Sequence, residues 1–270
     1  MLVLAALAGI FVMSYSALSA ASVGDQEPQP EPTALPLPAP PPPAPAAEST
    51  APQAQKAKRK PRWRSLASSS PRGHAVAIVR RSVPLRTRPN GRMVARARRW
   101  TEFGDQRVMS IAQQRGPWLG VVATERPNGK LAWINMKHRG LAFRRRPYSL
   151  HADLSGRWVE LRKRGRRIRR FSVAIGRPGS PTPTGRYAVT DKLHGATYGS
   201  YYGCCILALN GHQTNLPPGW TGGNRLAIHG TNAPGTIGTA ASAGCLRAAD
   251  ADLRVLMRRV PLGTPVFIRR

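Results

Sequence analysis

The chain has 270 residues, 42 Lys and Arg against 12 Asp and Glu, and a formal net charge of +30. That length holds one or two globular domains, and the 26 prolines, concentrated near the start, exclude a fold that uses every residue. The excess charge implies attraction to polyanions but is mostly Arg interspersed along strand-like segments, so it reads as a solvated surface and not as a nucleic-acid-binding patch.

Residues 1–22 are almost wholly apolar and end in Ser19-Ala20-Ala21-Ser22, small residues like those of a signal-peptidase site. They are expected to be a signal peptide or an N-terminal anchor. Ser14, Tyr15 and Ser16 interrupt the apolar run, which favours a cleaved signal, although no Lys or Arg precedes it. Either outcome exports the chain to the cell wall or periplasm, with membrane tethering in the second case. Residues 23–73 are expected to be a disordered linker, Pro/Ala-rich up to Gln55 and then basic. Its run Lys56-Ala57-Lys58-Arg59-Lys60-Pro61-Arg62-Trp63-Arg64 is suited to an anionic wall polymer or membrane surface.

Between residues 74 and 146, short β-branched and aromatic runs alternate with turns: Val76 to Val79, Val83 to Leu85, Met93 to Ala95, Val108 to Ile111, Trp118 to Val122 and Leu131 to Ile134. Pro89-Asn90-Gly91 and Pro127-Asn128-Gly129 supply the turn chemistry. The pieces Val83-Pro84-Leu85-Arg86, Gly116-Pro117-Trp118-Leu119-Gly120-Val121 and Ala132-Trp133-Ile134 resemble a bacterial Src-homology-3-like domain, which implies a small β-barrel. Trp118 and Trp133 would then either line a peptide groove or pack the core.

Residues 148–270 change character. Trp158 to Leu161 and Phe171 to Ile175 flank a basic turn at Gly165 and read as a hairpin. A loop comes next, Gly176-Arg177-Pro178-Gly179-Ser180-Pro181-Thr182-Pro183-Thr184-Gly185-Arg186-Tyr187. Leu226-Ala227-Ile228 reads as a buried strand end that delivers His229, and Ser242-Ala243-Gly244-Cys245-Leu246-Arg247 lies downstream. Leu253, Leu256, Met257 and Val260 recur at helical spacing behind Asp250, which is placed to accept first-turn N–H bonds.

The Pro-Thr-Pro-x-Gly loop, His229-Gly230 and the Ser-x-Gly-Cys-x-Arg turn resemble the L,D-transpeptidase catalytic domain (YkuD-type), with Ala243 where that family has a second histidine. The resemblance implies a mainly β, sandwich-like catalytic domain with a short helix. It implies a transferase that acts on peptidoglycan peptide stems, forms a thioester on Cys245 and passes the acyl group to an amine. A thiol needs an imidazole to take its proton, and His229 is the candidate base. The resemblance further implies that the Gly230 carbonyl anchors the imidazole. Backbone N–H groups of Gly244 and Cys245 are candidate oxyanion donors and Ser242 a brace for the turn. Arg247 suits a substrate carboxylate or a role in shaping the site, and Tyr187 and Tyr198 are candidate cleft residues.

No metal or organic cofactor is expected. Cys204-Cys205 is either a disulfide of neighbours or two buried thiols. Two other functions compete: an L,D-carboxypeptidase that releases the acyl group to water, and a non-catalytic wall-binding protein.

Overall fold

The computed structural model describes residues 73–270. The expected export signal and the linker up to residue 72 lie outside the described residues. Along the described chain most strands bury two or more consecutive residues, so both faces of their sheets are at least partly covered. The first seven are β1 (His74–Val79), β2 (Val83–Arg86), β3 (Met93–Ala97), β4 (Val108–Arg115), β5 (Trp118–Val121), β6 (Ala132–Asn135) and β7 (Leu141–Arg146). They form one sheet in the order β3-β2-β6-β5-β4-β1-β7, with Val79, Leu85, Ile111, Leu119 and Ile134 among the core residues. No ladder joins β3 to β7, so hydrogen bonds do not close this sheet into the expected barrel. Asn90 (φ 55°) and Gly129 (φ 76°) adopt the left-handed conformations that their turns require. Strand β7, with its Arg144-Arg145-Arg146 run, is not among the runs singled out in the sequence, which end at Ile134, yet all six of its residues pair with β1.

The second part comprises β8 (Tyr148–Asp153), β9 (Trp158–Lys163), β10 (Arg166–Ser172), β11 (Ile175–Gly176), β12 (Gly185–His194), β13 (Cys205–His212), β14 (Arg225–His229), β15 (Ala240–Ser242), β16 (Leu246–Arg247), helix α1 (Asp250–Arg259) and β17 (Pro265–Arg269). Eight strands run in the order β10-β9-β8-β17-β12-β13-β14-β16, and β11 pairs with β15 alone. Strand β12 is the joint: its first half pairs with β17, and its second half pairs with β13 after a register shift between Val189 and Asp191. Leu150 and Leu161 on one side of that joint share a core with Leu207, Leu209 and Ile228 on the other, and Leu253, Leu256 and Val260 pack onto it. The domain is mainly β with one short helix.

In α1, Asp250 and Asp252 in the first turn and Arg258 and Arg259 in the last complement the helix dipole. Asp250 does not cap the helix as expected. Ala249 holds the cap position without a side-chain bond, and the Asp250 carboxylate reaches two loops instead. The first sheet meets the second part through polar contacts: Arg186 donates to the Ile111 carbonyl at 2.8 Å, Lys192 N donates to Asp105 at 2.8 Å, and Thr101 bonds the buried Asp191.

Candidate active site

Strands β14 and β16 run parallel, with Ile228 opposite Leu246 and His229 opposite Arg247. Their period sends Leu226, Ile228 and Leu246 into the core and leaves Ala227, His229, Cys245 and Arg247 on the other face. His229 and Cys245 line one pocket, together with Tyr201, Tyr202, Gln213 and Trp220.

His229 has no exposed surface. Its Nδ1 lies 2.6 Å from the Gly230 carbonyl. A carbonyl only accepts, so Nδ1 carries the proton and Nε2 is the basic nitrogen. That Nε2 is buried and has no hydrogen-bond partner. The ring centroids of Tyr202 and Tyr201 stand 4.9 Å and 5.7 Å away. Burial pulls the imidazole down to about 4; the Gly230 bond opposes that shift and the Arg247 charge adds to it.

Cys245 is a free, partly buried thiol whose Sγ sits 3.8 Å from the Arg225 carbonyl. Burial raises it above the ordinary cysteine range, against the pull of the β14 backbone and of Arg247. Both shifts favour the neutral form of their group, so burial disfavours a resting thiolate–imidazolium pair.

The turn before the thiol is internally bonded. Ser242 Oγ donates to the Cys245 carbonyl at 2.6 Å and accepts from Gly244 N at 3.0 Å. Ser242 thus occupies the bracing position, but the Gly244 N–H is already committed and is not aimed at an oxyanion as expected. Among the described residues Cys245 N–H has no acceptor. Gly244 has φ 117°, and a Cβ there would collide with the Gln213 amide, so this position requires glycine.

The Pro-Thr-Pro-x-Gly loop is stapled to the same turn, which explains why the two motifs occur together. Gly176 pairs with Ser242, and Arg177 N donates to the Ser242 carbonyl at 2.9 Å. Gln213, 4% exposed, donates through Nε2 to Pro181 O at 3.0 Å, Ala243 O at 3.1 Å and Ser180 O at 3.3 Å.

Of the three expected substrate residues, two lie outside the pocket lining and the third shapes its wall. Tyr187 is fully buried and donates to the Pro183 and Thr184 carbonyls at 3.3 Å and 3.0 Å, so it holds the proline-rich loop and does not line the cleft. Tyr198 is exposed and packs edge-on against Phe103 at 6.2 Å, outside the pocket. Arg247 is 7% exposed; its guanidinium bonds the Tyr201 hydroxyl and lies 4.4 Å from that ring's centre, so it supports a pocket wall and is not open to a carboxylate.

Sequence reasoning missed Tyr201, Tyr202, Gln213 and Asp250. The carboxylate of Asp250 accepts from Cys204 N at 2.9 Å and Thr231 N at 3.3 Å, which ties together the loops on either side of Gly230. Of the alternatives for Cys204-Cys205, the structure shows the disulfide, and the Cys205 carbonyl accepts from Gly230 N at 3.0 Å. Among the described residues no group of three or more His, Cys, Asp or Glu side chains is placed to hold a metal.

Comparison with known proteins bears on the same segment. Residues 147–268 match the family model of the L,D-transpeptidase catalytic domain, YkuD. Two curated relatives carry the name "Putative L,D-transpeptidase YkuD". The one from Bacillus licheniformis is 32% identical over 124 residues, which cover 45% of this chain and 66% of the relative. The one from Bacillus subtilis is 29% identical over 126 residues, covering 46% and 67%. The chain thus spans about two thirds of the length of these relatives. Among solved structures, L,D-transpeptidase 3 of Mycobacterium tuberculosis with a faropenem-derived adduct aligns with a TM-score of 0.40 at 15% identity, over 52% of this chain and 73% of that one. The matched motifs, the family model and the curated relatives agree on one assignment: residues 147–268 are an L,D-transpeptidase catalytic domain of the YkuD family.

Proposed function

We propose that the protein is a peptidoglycan L,D-transpeptidase that works through a thioester on Cys245. The observation that carries this reading is the buried, unpartnered Nε2 of His229 in the pocket that also holds the Cys245 thiol. When a peptide stem enters, the thiol proton passes to Nε2 while sulfur bonds to the stem carbonyl carbon. Collapse of that adduct breaks the C–N bond to the terminal residue, and the imidazolium returns the proton to the leaving amine. An amine from a second stem then repeats the sequence in reverse and frees the thiol. Cys245 N–H is the donor best suited to the oxyanion, because Gly244 N–H is already used.

The expected export signal places this chemistry outside the cytoplasm, at the wall, with the basic linker adding affinity for anionic wall polymer or membrane. Residues 74–146 serve as a Src-homology-3-like accessory module in this reading, on the strength of their sequence pieces.

Purified wild type and Cys245→Ala are compared on muropeptides by mass spectrometry. Wild type is expected to release the donor's terminal residue and make cross-linked dimers, and the variant neither; equal cross-linking by both sinks the proposal. A carbapenem, an acyl donor with a strained amide, should add its mass to Cys245 and to no other residue.

A further inference from the structure

The turn Pro127-Asn128-Gly129 reaches out of its own sheet. Asn128 Nδ2 donates to the His212 carbonyl at 2.6 Å, and its Oδ1 accepts from His212 N at 2.9 Å. This two-point grip reproduces the pattern of a strand partner at a single residue. The His212 imidazole adds a second hold from the same module, with Nε2 2.8 Å from the Thr124 carbonyl. The grip falls where the domain's own ladder is irregular: β13 and β14 pair at Ala208↔Ala227 and next at His212↔Arg225, with a register shift between. The first module holds both members of that last pair, since Arg225 is ion-paired with Glu102.

Gln213 is the next residue after His212, and its amide binds the Ala243 carbonyl and packs against Gly244, directly before the nucleophile. On the opposite strand, the Arg225 carbonyl accepts a hydrogen bond from Cys245 Sγ at 3.8 Å. A displacement of the His212–Arg225 pair would therefore reach the thiol by two routes.

We propose that the first β-module positions the nucleophile, with Asn128 as a positioning residue that acts through His212 and Gln213 on the Ala243–Gly244–Cys245 turn. The inference rests on the acyl-enzyme reading above, because the group being positioned is the thiol that reading has acylated. It gives the module a role in the reaction separate from any binding to the wall.

The test measures the second-order rate of Cys245 acylation by imipenem, tracked by intact mass on the full chain. It is run at a temperature where circular dichroism and a melting curve show each variant folded. Asn128→Ala is expected to acylate about ten- to a hundredfold more slowly, the size of effect that a small misplacement of a reacting group produces. Lys130→Ala, an exposed change on the same turn, should match wild type. Gln213→Ala should lose at least as much as Asn128→Ala, and the double variant no more than Gln213→Ala alone, because two members of one relay are not additive. A purely stabilising contact would lower the melting temperature and leave the rate of the folded protein unchanged. If Asn128→Ala does not fold, Asn128→Ser replaces it with the same expectation. Asn128→Ala or its replacement within twofold of wild type, or losses that multiply in the double variant, would overturn the positioning role while leaving the acyl-enzyme reading intact. A wild type that imipenem does not label at all removes that reading, and the positioning role with it.

Discussion

Cys245 and His229 occupy surroundings that favour the neutral form of each, so the thiolate has to be made during the reaction. Iodoacetamide should consequently alkylate the free enzyme slowly at pH 7, and the rate should keep rising with pH past the midpoint of an ordinary cysteine. A rate already at its plateau by pH 6 would contradict this. His229 has a consequence for stability as well. Its folded value of about 4 lies below the unfolded value of 6.5, so the unfolded chain binds the proton first as pH falls. The stabilisation is complete above pH 6.5 and is lost progressively between 6.5 and 4, with an upper bound of about 3 kcal/mol. Urea unfolding at pH 7 and pH 5 should show wild type weakening more than His229→Gln. Arg247, with its guanidinium on Tyr201, is expected to act on the imidazole's surroundings and not on substrate charge.

Among the elements, α1 links the core to the site. Leu256→Ala opens a void against the shared core and should cost about 2–5 kcal/mol in chemical unfolding. Asp250→Ala strands the N–H groups of Cys204 and Thr231, with a loss of about 1–3 kcal/mol. A melting temperature for Asp250→Ala equal to wild type would show the carboxylate to be dispensable. The sequence displays elements whose signal is local. The strands up to Ile134 announce themselves by β-branched and aromatic runs set between turns, two of them Pro-Asn-Gly, and His229 and Cys245 by glycines beside a strand end. It conceals those whose reason is distant. Strand β7 is hidden by three arginines that become intelligible only beside β1. Tyr201 and Tyr202 gain meaning from a histidine more than twenty residues away. Tyr187 misleads because its neighbours belong to the signature loop while its ring belongs to the core. Gln213, an ordinary amide in an ordinary loop, carries no mark of the three carbonyls it meets.

At the scale of the whole described molecule, the two β parts have separate apolar cores and meet through ring contacts such as Phe103 with Tyr198 and polar contacts that include the buried Asp191. Unpairing a buried carboxylate is costly, so these contacts should couple the parts. Residues 73–270 are expected to unfold in a single calorimetric transition, and Thr101→Val, which removes one of Asp191's partners, to lower its midpoint; two resolved transitions in wild type would show the parts to be independent. The Cys204–Cys205 disulfide contributes nothing to this coupling, because it joins sequence neighbours and closing so short a loop removes almost no freedom from the unfolded chain. Reducing the bond should therefore leave the midpoint of that single transition nearly unchanged.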